Sequence, residues 1–183
     1  MRTILAIGCL LVMGCQRSPD QLADHYKFIH QTSAGADEIE QVLAQLPYTK
    51  IEFERSGCYG SCPVFQAVFH VDSTATYEGE RFVEREGNYQ GTINAWDYTR
   101  LCCLIDRLKL NVSASYSVDS VDLSGCTLRV TKRTGQVIEI SDYGEQGPIE
   151  LWALQQCIDN VITRTTWHPI EVPQQAGPEN PDQ

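Results

Sequence analysis

Cysteine is the residue type with the most chemistry to offer in this chain, and two of its eight cysteines share one short stretch, Arg55-Ser56-Gly57-Cys58-Tyr59-Gly60-Ser61-Cys62-Pro63. Thiols four residues apart can form a disulfide if a turn brings their Cα atoms to roughly 4.4–6.8 Å. They can also cycle between thiol and disulfide if one is held as a thiolate, or ligate a soft metal ion. Gly57 and Gly60 let the segment turn tightly, so its ends can meet. A bridge closing so small a ring contributes on the order of 2 kcal/mol by restricting the unfolded chain. Exchange catalysts place such cysteines where a strand gives way to a helix, whose N-terminus favours the thiolate. Here Pro63 leads into Val64 to Val71, which reads as a strand. A structural bond between Cys58 and Cys62 is therefore the first reading. An exchangeable pair, a metal site with His70 or His168 as a third ligand, and free thiols stay open beside it. Arg55 has the charge to stabilise a thiolate or bind a carboxylate, but a half-exposed strand arginine covering apolar neighbours is the plainer account.

Leaving aside the cysteines of the first fifteen residues, six remain: Cys58, Cys62, Cys102, Cys103, Cys126 and Cys157. Six allow fifteen pairings, which spacing alone does not resolve. Cys126 starts a strand expected to run under two helices, so Cys126 with Cys102 or Cys157 are the favoured long-range bridges, with buried free thiols as the alternative. Cys103 points nearly away from the apolar stripe of its helix. Asp119 and Asp122 flank Ser120-Val121 in a loop, but a hard cation needs more oxygens than two acids supply. His25, His30, His70 and His168 have no ligating spacing. The chain contains no Gly-x-Ser-x-Gly, His-Glu-x-x-His or phosphate-cradling glycine loop. The residues therefore point to no catalytic group, metal site or cofactor.

The chain begins Met1-Arg2-Thr3, then runs apolar from Ile4 to Met13 and turns polar after Gly14-Cys15-Gln16. A charged start, a short apolar run and a small residue before a cut describe a signal peptide. The run is well short of the about 18 residues a membrane-spanning helix needs. Val12-Met13-Gly14-Cys15 resembles the bacterial lipobox, which implies cleavage after residue 14 and a diacylglycerol-modified Cys15 as the new N-terminus. Removing residues 1–14 takes away one positive charge, Arg2, so the formal charge of −10 becomes −11. Phosphate backbones are bound through Lys and Arg, so nucleic acid is not an expected partner, and attachment to the membrane rests on acyl chains instead of a basic patch. The expected location is the cell envelope. If the host is Gram-negative, Gln16 in place of an aspartate points to the outer membrane, facing the periplasm.

The elements that must position the cysteines follow from periodicity. Residues 15–48 read as a tether with two short helices, one over Leu22, Tyr26 and Ile29, the other over Ile39, Val42, Leu43 and Leu46 before Pro47. Residues 49–169 read as one domain. Period-two alternation predicts strands at Ile51–Arg55, Val64–Val71, Thr76–Glu78, Phe82–Val83 and Tyr89–Ile93. Asn94 caps a helix to about Leu110 with Leu101, Leu104, Ile105 and Leu108 on one face. Cys126–Thr131 and Gln136–Ile140 form a hairpin around Gly135. A last helix follows Gly147-Pro148, carrying Leu151, Leu154, Ile158, Val161 and Ile162. Residues 170–183 read as a disordered tail. The expected class is α+β, an antiparallel sheet with helices packed on one face.

The stretch Arg55-x-x-Cys58-Tyr59-Gly60-x-Cys62-Pro63 followed by a strand resembles the signature of the bacterial domain-of-unknown-function family 6438. The similarity extends from about Ile51 to Trp167 and takes in Tyr77-Glu78-Gly79 and Asp122. The turn Asp72-Ser73-Thr74 departs from it, lacking an expected glycine. The resemblance supports fold and compartment and implies no reaction. Together these readings give a cell-envelope lipoprotein, held to the membrane by its lipid, whose domain is a non-enzymatic binding or structural module for an envelope protein or cell-wall component. The competing expectation is a thiol-disulfide or metal-binding protein using Cys58 and Cys62.

Overall fold

The computed structural model describes residues 36–171. Cys15, His25, His30, the first tether helix and the tail beyond residue 171 lie outside the described residues. Helix α1 (Ala36–Gln45) leads into strand β1 (Tyr48–Arg55). Strands β2 (Val64–His70), β3 (Thr74–Arg81) and β4 (Gly87–Thr92) follow as a meander. Helix α2 (Ala95–Arg107) precedes β5 (Ala114–Tyr116), β6 (Gly125–Lys132) and β7 (Val137–Tyr143). Helix α3 (Ile149–Arg164) and β8 (Thr166–Pro169) complete the described chain.

The described strands form one eight-stranded sheet in the order β5-β7-β6-β1-β2-β3-β4-β8. The class is α+β, but the sheet is mixed: β5 runs parallel to β7 while the remaining neighbours are antiparallel. A three-residue edge strand with polar neighbours carries too little alternation to be read, so the expectation of a wholly antiparallel sheet fails there. Helix α2 carries the chain from β4 near one edge to β5 at the other, and α3 carries it back from β7 to β8.

Alternate strand residues, among them Ile51 and Phe53, Ala67 and Phe69, Leu128 and Val130, and Ile138 and Ile140, join one buried cluster with Leu101 and Ile105 of α2 and Leu154 and Ile158 of α3. The intervening residues, such as Glu52, Glu54, Gln66, Thr76, Glu78 and Arg129, are half-buried or exposed. This is the period-two pattern of a sheet with one apolar side. Asn94 starts α2 as its cap, accepting from the Trp96 amide at 2.8 Å.

Several local expectations change. The second helix read in residues 15–48 forms as α1, and its Leu43 and Leu46, with Tyr48, are buried in the core cluster, so the packed body begins before residue 49. Phe82 and Val83 are not a strand: β3 ends at Arg81, and Phe82 sits in the turn at φ 55°. Cys103 is buried with Cys102, because little of α2 is left in water. At the turn without glycine, Ser73 itself takes the left-handed conformation (φ 72°). The Asp72 carboxylate steadies it by accepting from the Thr74 amide at 2.9 Å and the Thr74 hydroxyl at 2.6 Å. Those bonds hold the Asp72 carboxyl below its ordinary value.

Candidate functional site

The cysteine stretch is the loop between β1 and β2, and each of its first residues is tied to a different element. Arg55 is the last residue of β1 on the side of Ile51 and Phe53. Its guanidinium lies 5.2 Å from the centre of the Phe53 ring. It meets Asp159 of α3 in a two-point ion pair, Nη2 to Oδ2 at 2.6 Å and Nε to Oδ1 at 3.4 Å. The Ser56 amide donates to the Gly125 carbonyl at 2.9 Å, and the Gly125 amide returns a bond to the Ser56 hydroxyl at 3.0 Å. Gly57 is pressed against Arg81: a Cβ there would lie 2.5 Å from the Arg81 Nη2, so a larger residue would displace that guanidinium.

Beyond Gly57 the loop closes on itself. Cys58 and Cys62 are joined by a disulfide with their Cα atoms 5.6 Å apart, inside the range a bridge requires. The Tyr59 amide donates to the Asp122 carbonyl at 3.1 Å, which fixes the bridged loop to the β5–β6 loop. Asp122 supplies that carbonyl from a left-handed conformation (φ 66°). Tyr59 is 89% exposed at the crest.

Beneath the loop lies a buried polar group. Asp142, 5% exposed, accepts from the amides of Gln146 at 2.8 Å and Gly147 at 2.9 Å, and from the Gln155 side chain at 3.4 Å. These bonds hold the turn that launches α3. Cys126 stands opposite Arg55 in the β1–β6 register. Burial, reinforced by the Asp142 charge, pushes its thiol up to about 12. Burial likewise raises Cys102 well above the ordinary thiol value and Cys103 to about 11. Thiols kept protonated in this way are poor nucleophiles and poor ligands at neutral pH.

The expected long-range bridges do not form: Cys102, Cys126 and Cys157 are free thiols. Cys126 is the second residue of β6, opposite Arg55, whereas Tyr98 and Asp106, one turn either side of Cys102 on α2, both bond Tyr48, which pairs with Lys132 at the other end of that strand. At about 3.4 Å per residue the two lie much too far apart to bond. Cys157 packs at the margin of the core cluster, its sulfur 3.9 Å from the Nη2 of Arg100 on α2. His70 ends β2 beside Lys50, remote from the bridged loop, and His168 sits in β8 opposite Gln90, so neither joins the cysteine pair. Among the described residues, no group of three or more His, Cys, Asp or Glu is arranged to hold a metal ion.

Sequence reasoning missed Asp142 and Asp159. Asp142, closely followed by Gly144 and by Gly147-Pro148, carries the local signature of a side chain that caps its own turn. Asp159 carries no local signal, because its partner is 104 residues away. No curated protein sequence matches the chain. Residues 49–162, over half the chain, match the family described as Domain of unknown function (DUF6438), and the protein belongs to that family.

Proposed function

We propose that this protein is a cell-envelope lipoprotein, lipid-anchored through Cys15, whose domain is a non-enzymatic binding module. In this reading the three helices cover one side of the sheet, and the bridged end stays open for an envelope protein or cell-wall component. One observation carries it: the loop that stands out in the sequence has its arginine engaged with Asp159, its cysteines engaged with each other, and its tyrosine lifted into water. Such a loop presents a shape and not a reactive group. The acidic balance of the chain, formally −10, leaves acyl chains as the means of membrane attachment.

Three measurements test this. Changing Cys15 to Ala should release the protein from the membrane fraction or leave it unprocessed; normal cleavage and membrane partition of that variant would refute the anchor. In a Gram-negative host the unaltered protein should fractionate with the outer membrane. Thiol counting on the unfolded domain should find four free thiols before reduction and six after, the difference being the Cys58–Cys62 bond. The competing reading, a thiol-exchange protein, draws on the partial exposure of both bridged cysteines. It predicts a mixed disulfide trapped by Cys62→Ser and a reduction potential near those of exchange catalysts.

A further inference from the structure

Four partly or largely exposed apolar residues belong to the two loops at the bridged end. Tyr59 is 89% exposed and Val121 78%, while Val118 and Leu123 beside them are each more than a third exposed. They come from two loops that are fixed to each other and to the sheet. Tyr59 is bonded to Asp122 through the backbone, and the Leu123 amide donates to the Tyr143 hydroxyl at 3.1 Å. The Gly144 amide donates to the Ser124 carbonyl at 2.9 Å. Val118 and Leu123 pack onto Gly144 so closely that a Cβ there would sit 2.9 Å and 2.7 Å from their methyl carbons.

We propose that this ridge of Tyr59, Val118, Val121 and Leu123 is the docking surface for a protein partner that offers an apolar pocket rimmed by Lys and Arg. The proposal rests on the binding-module reading and names its partner chemistry. Bridged and hydrogen-bonded in advance, the ridge loses little freedom on binding, which is where most association free energy is forfeited. An exposed aromatic flanked by aliphatic groups is the composition of an interface anchor. The charge pattern selects among occupants. The segments 56–63, 117–124 and 144–147 contain Asp119, Asp122 and Glu145 and no Lys or Arg, and Arg81, which reaches Gly57 from β3, has Glu80 3.9 Å from its Nε, so the balance stays acidic. A second copy would set these acids against themselves, and an anionic lipid surface would repel them. A cationic rim on a protein surface complements them.

The test places a photo-crosslinking phenylalanine analogue at position 59 of the full-length lipoprotein in its own cells. The expected result is a discrete protein adduct, cross-linked within a Lys- and Arg-rich segment of the partner, and reduced at least tenfold by adding Asp119→Lys and Asp122→Lys. The same probe at Gln136, in the exposed hairpin at the other end of β6, should give no such adduct. The Asp→Lys pair must melt like the parent protein, and Asp119→Asn with Asp122→Asn should give an intermediate loss. Adducts that arise only elsewhere on the surface would overturn this ridge while leaving the binding-module reading intact. No adduct from any exposed position would overturn both. A lipid adduct, a homodimer adduct, or an adduct indifferent to the charge reversals would overturn the partner assignment.

Discussion

The two ends of β1 are closed by opposite means. At its start, α1 covers the sheet and the closure is a packed one: Leu46 and Tyr48 are buried, the Tyr48 hydroxyl donates to Asp106, and the Tyr98 hydroxyl donates to the Tyr48 carbonyl at 3.3 Å. Arg133 from the β6–β7 turn donates to the Leu43 and Leu46 carbonyls, both at 3.1 Å, which ties up the end of the helix. At its finish, loops take the place of a helix, and a disulfide with main-chain hydrogen bonds holds them. The packed end keeps its large apolar side chains in the core, with a shallow groove beside α1 lined by Ile39, Leu43, Val71 and Arg133. The stapled end turns Tyr59 and Val121 outward, while Val118 and Leu123 pack against Gly144.

The largest effect expected from breaking this comparison comes at the packed end. A chain starting at Lys50 lacks Leu43, Leu46 and Tyr48, each of which belongs to the core. Deleting one large buried side chain costs about 2–5 kcal/mol, and a domain this size has only about 5–15 kcal/mol in all. Residues 36–171 should therefore unfold in one cooperative urea transition, whereas residues 50–171 should show none. Leu46→Ala in the longer chain should lower stability by about 3 kcal/mol. Equal stability of the two chains would refute the packed closure.

High pH should act next, and on buried groups only. Burial raises the Cys126 thiol to about 12, and it raises Cys102, Tyr48 and Tyr98 above their ordinary values. A folded-state value above the unfolded one means that the unfolded chain loses its proton first. The contribution to stability is then full below the unfolded thiol value near 9 and is lost as pH climbs toward the folded value. Stability from urea denaturation should fall steadily between about pH 9 and pH 12, by about 1.4 kcal/mol per pH unit for each group deprotonated only in the unfolded chain. Cys126→Ala should make that slope shallower by one group's share, whatever it does to stability at neutral pH.

At the stapled end the expected losses are smaller. Replacing Cys58 and Cys62 together by Ser should cost about 2 kcal/mol, the worth of a short bridge. Breaking the Arg55–Asp159 pair from either side should cost about 1–3 kcal/mol, since a charged hydrogen bond is lost from a partly buried site. A double-mutant cycle between Arg55→Met and Asp159→Leu should return most of that as coupling.

The same contrast explains what the sequence made legible. The hairpin at Gly135, the Asn94 cap and the stripe on α3 were readable because each is a local pattern: a glycine at positive φ, a side chain reaching two residues ahead, an apolar residue every third or fourth position. The cysteine loop was readable because both partners of its bond lie in one turn. Arg55–Asp159 was hidden by sequence distance, and β5 by its length. Phe82 looks like strand because aromatic residues favour strands, whereas the chain turns there and holds Phe82 in a conformation that few large residues adopt.

The smallest expected effect is the most diagnostic. Tyr59 and Val121 project into water, so Tyr59→Ser and Val121→Ser remove almost no buried apolar surface. The backbone bond from the Tyr59 amide to Asp122 survives either change, because it does not involve the side chain. Stability should therefore move by less than about 0.5 kcal/mol, the ordinary range for surface substitutions. Leu46→Ala, one residue in the packed end, should cost several times as much. Measuring both by urea denaturation under one set of conditions separates two reasons for keeping an apolar side chain. If Tyr59→Ser instead costs as much as the bridge, Tyr59 packs into the loop and the stapled end is a small core of its own. If it costs nothing, folding does not require a tyrosine at the crest, and its presence there is left to contact with something outside the chain.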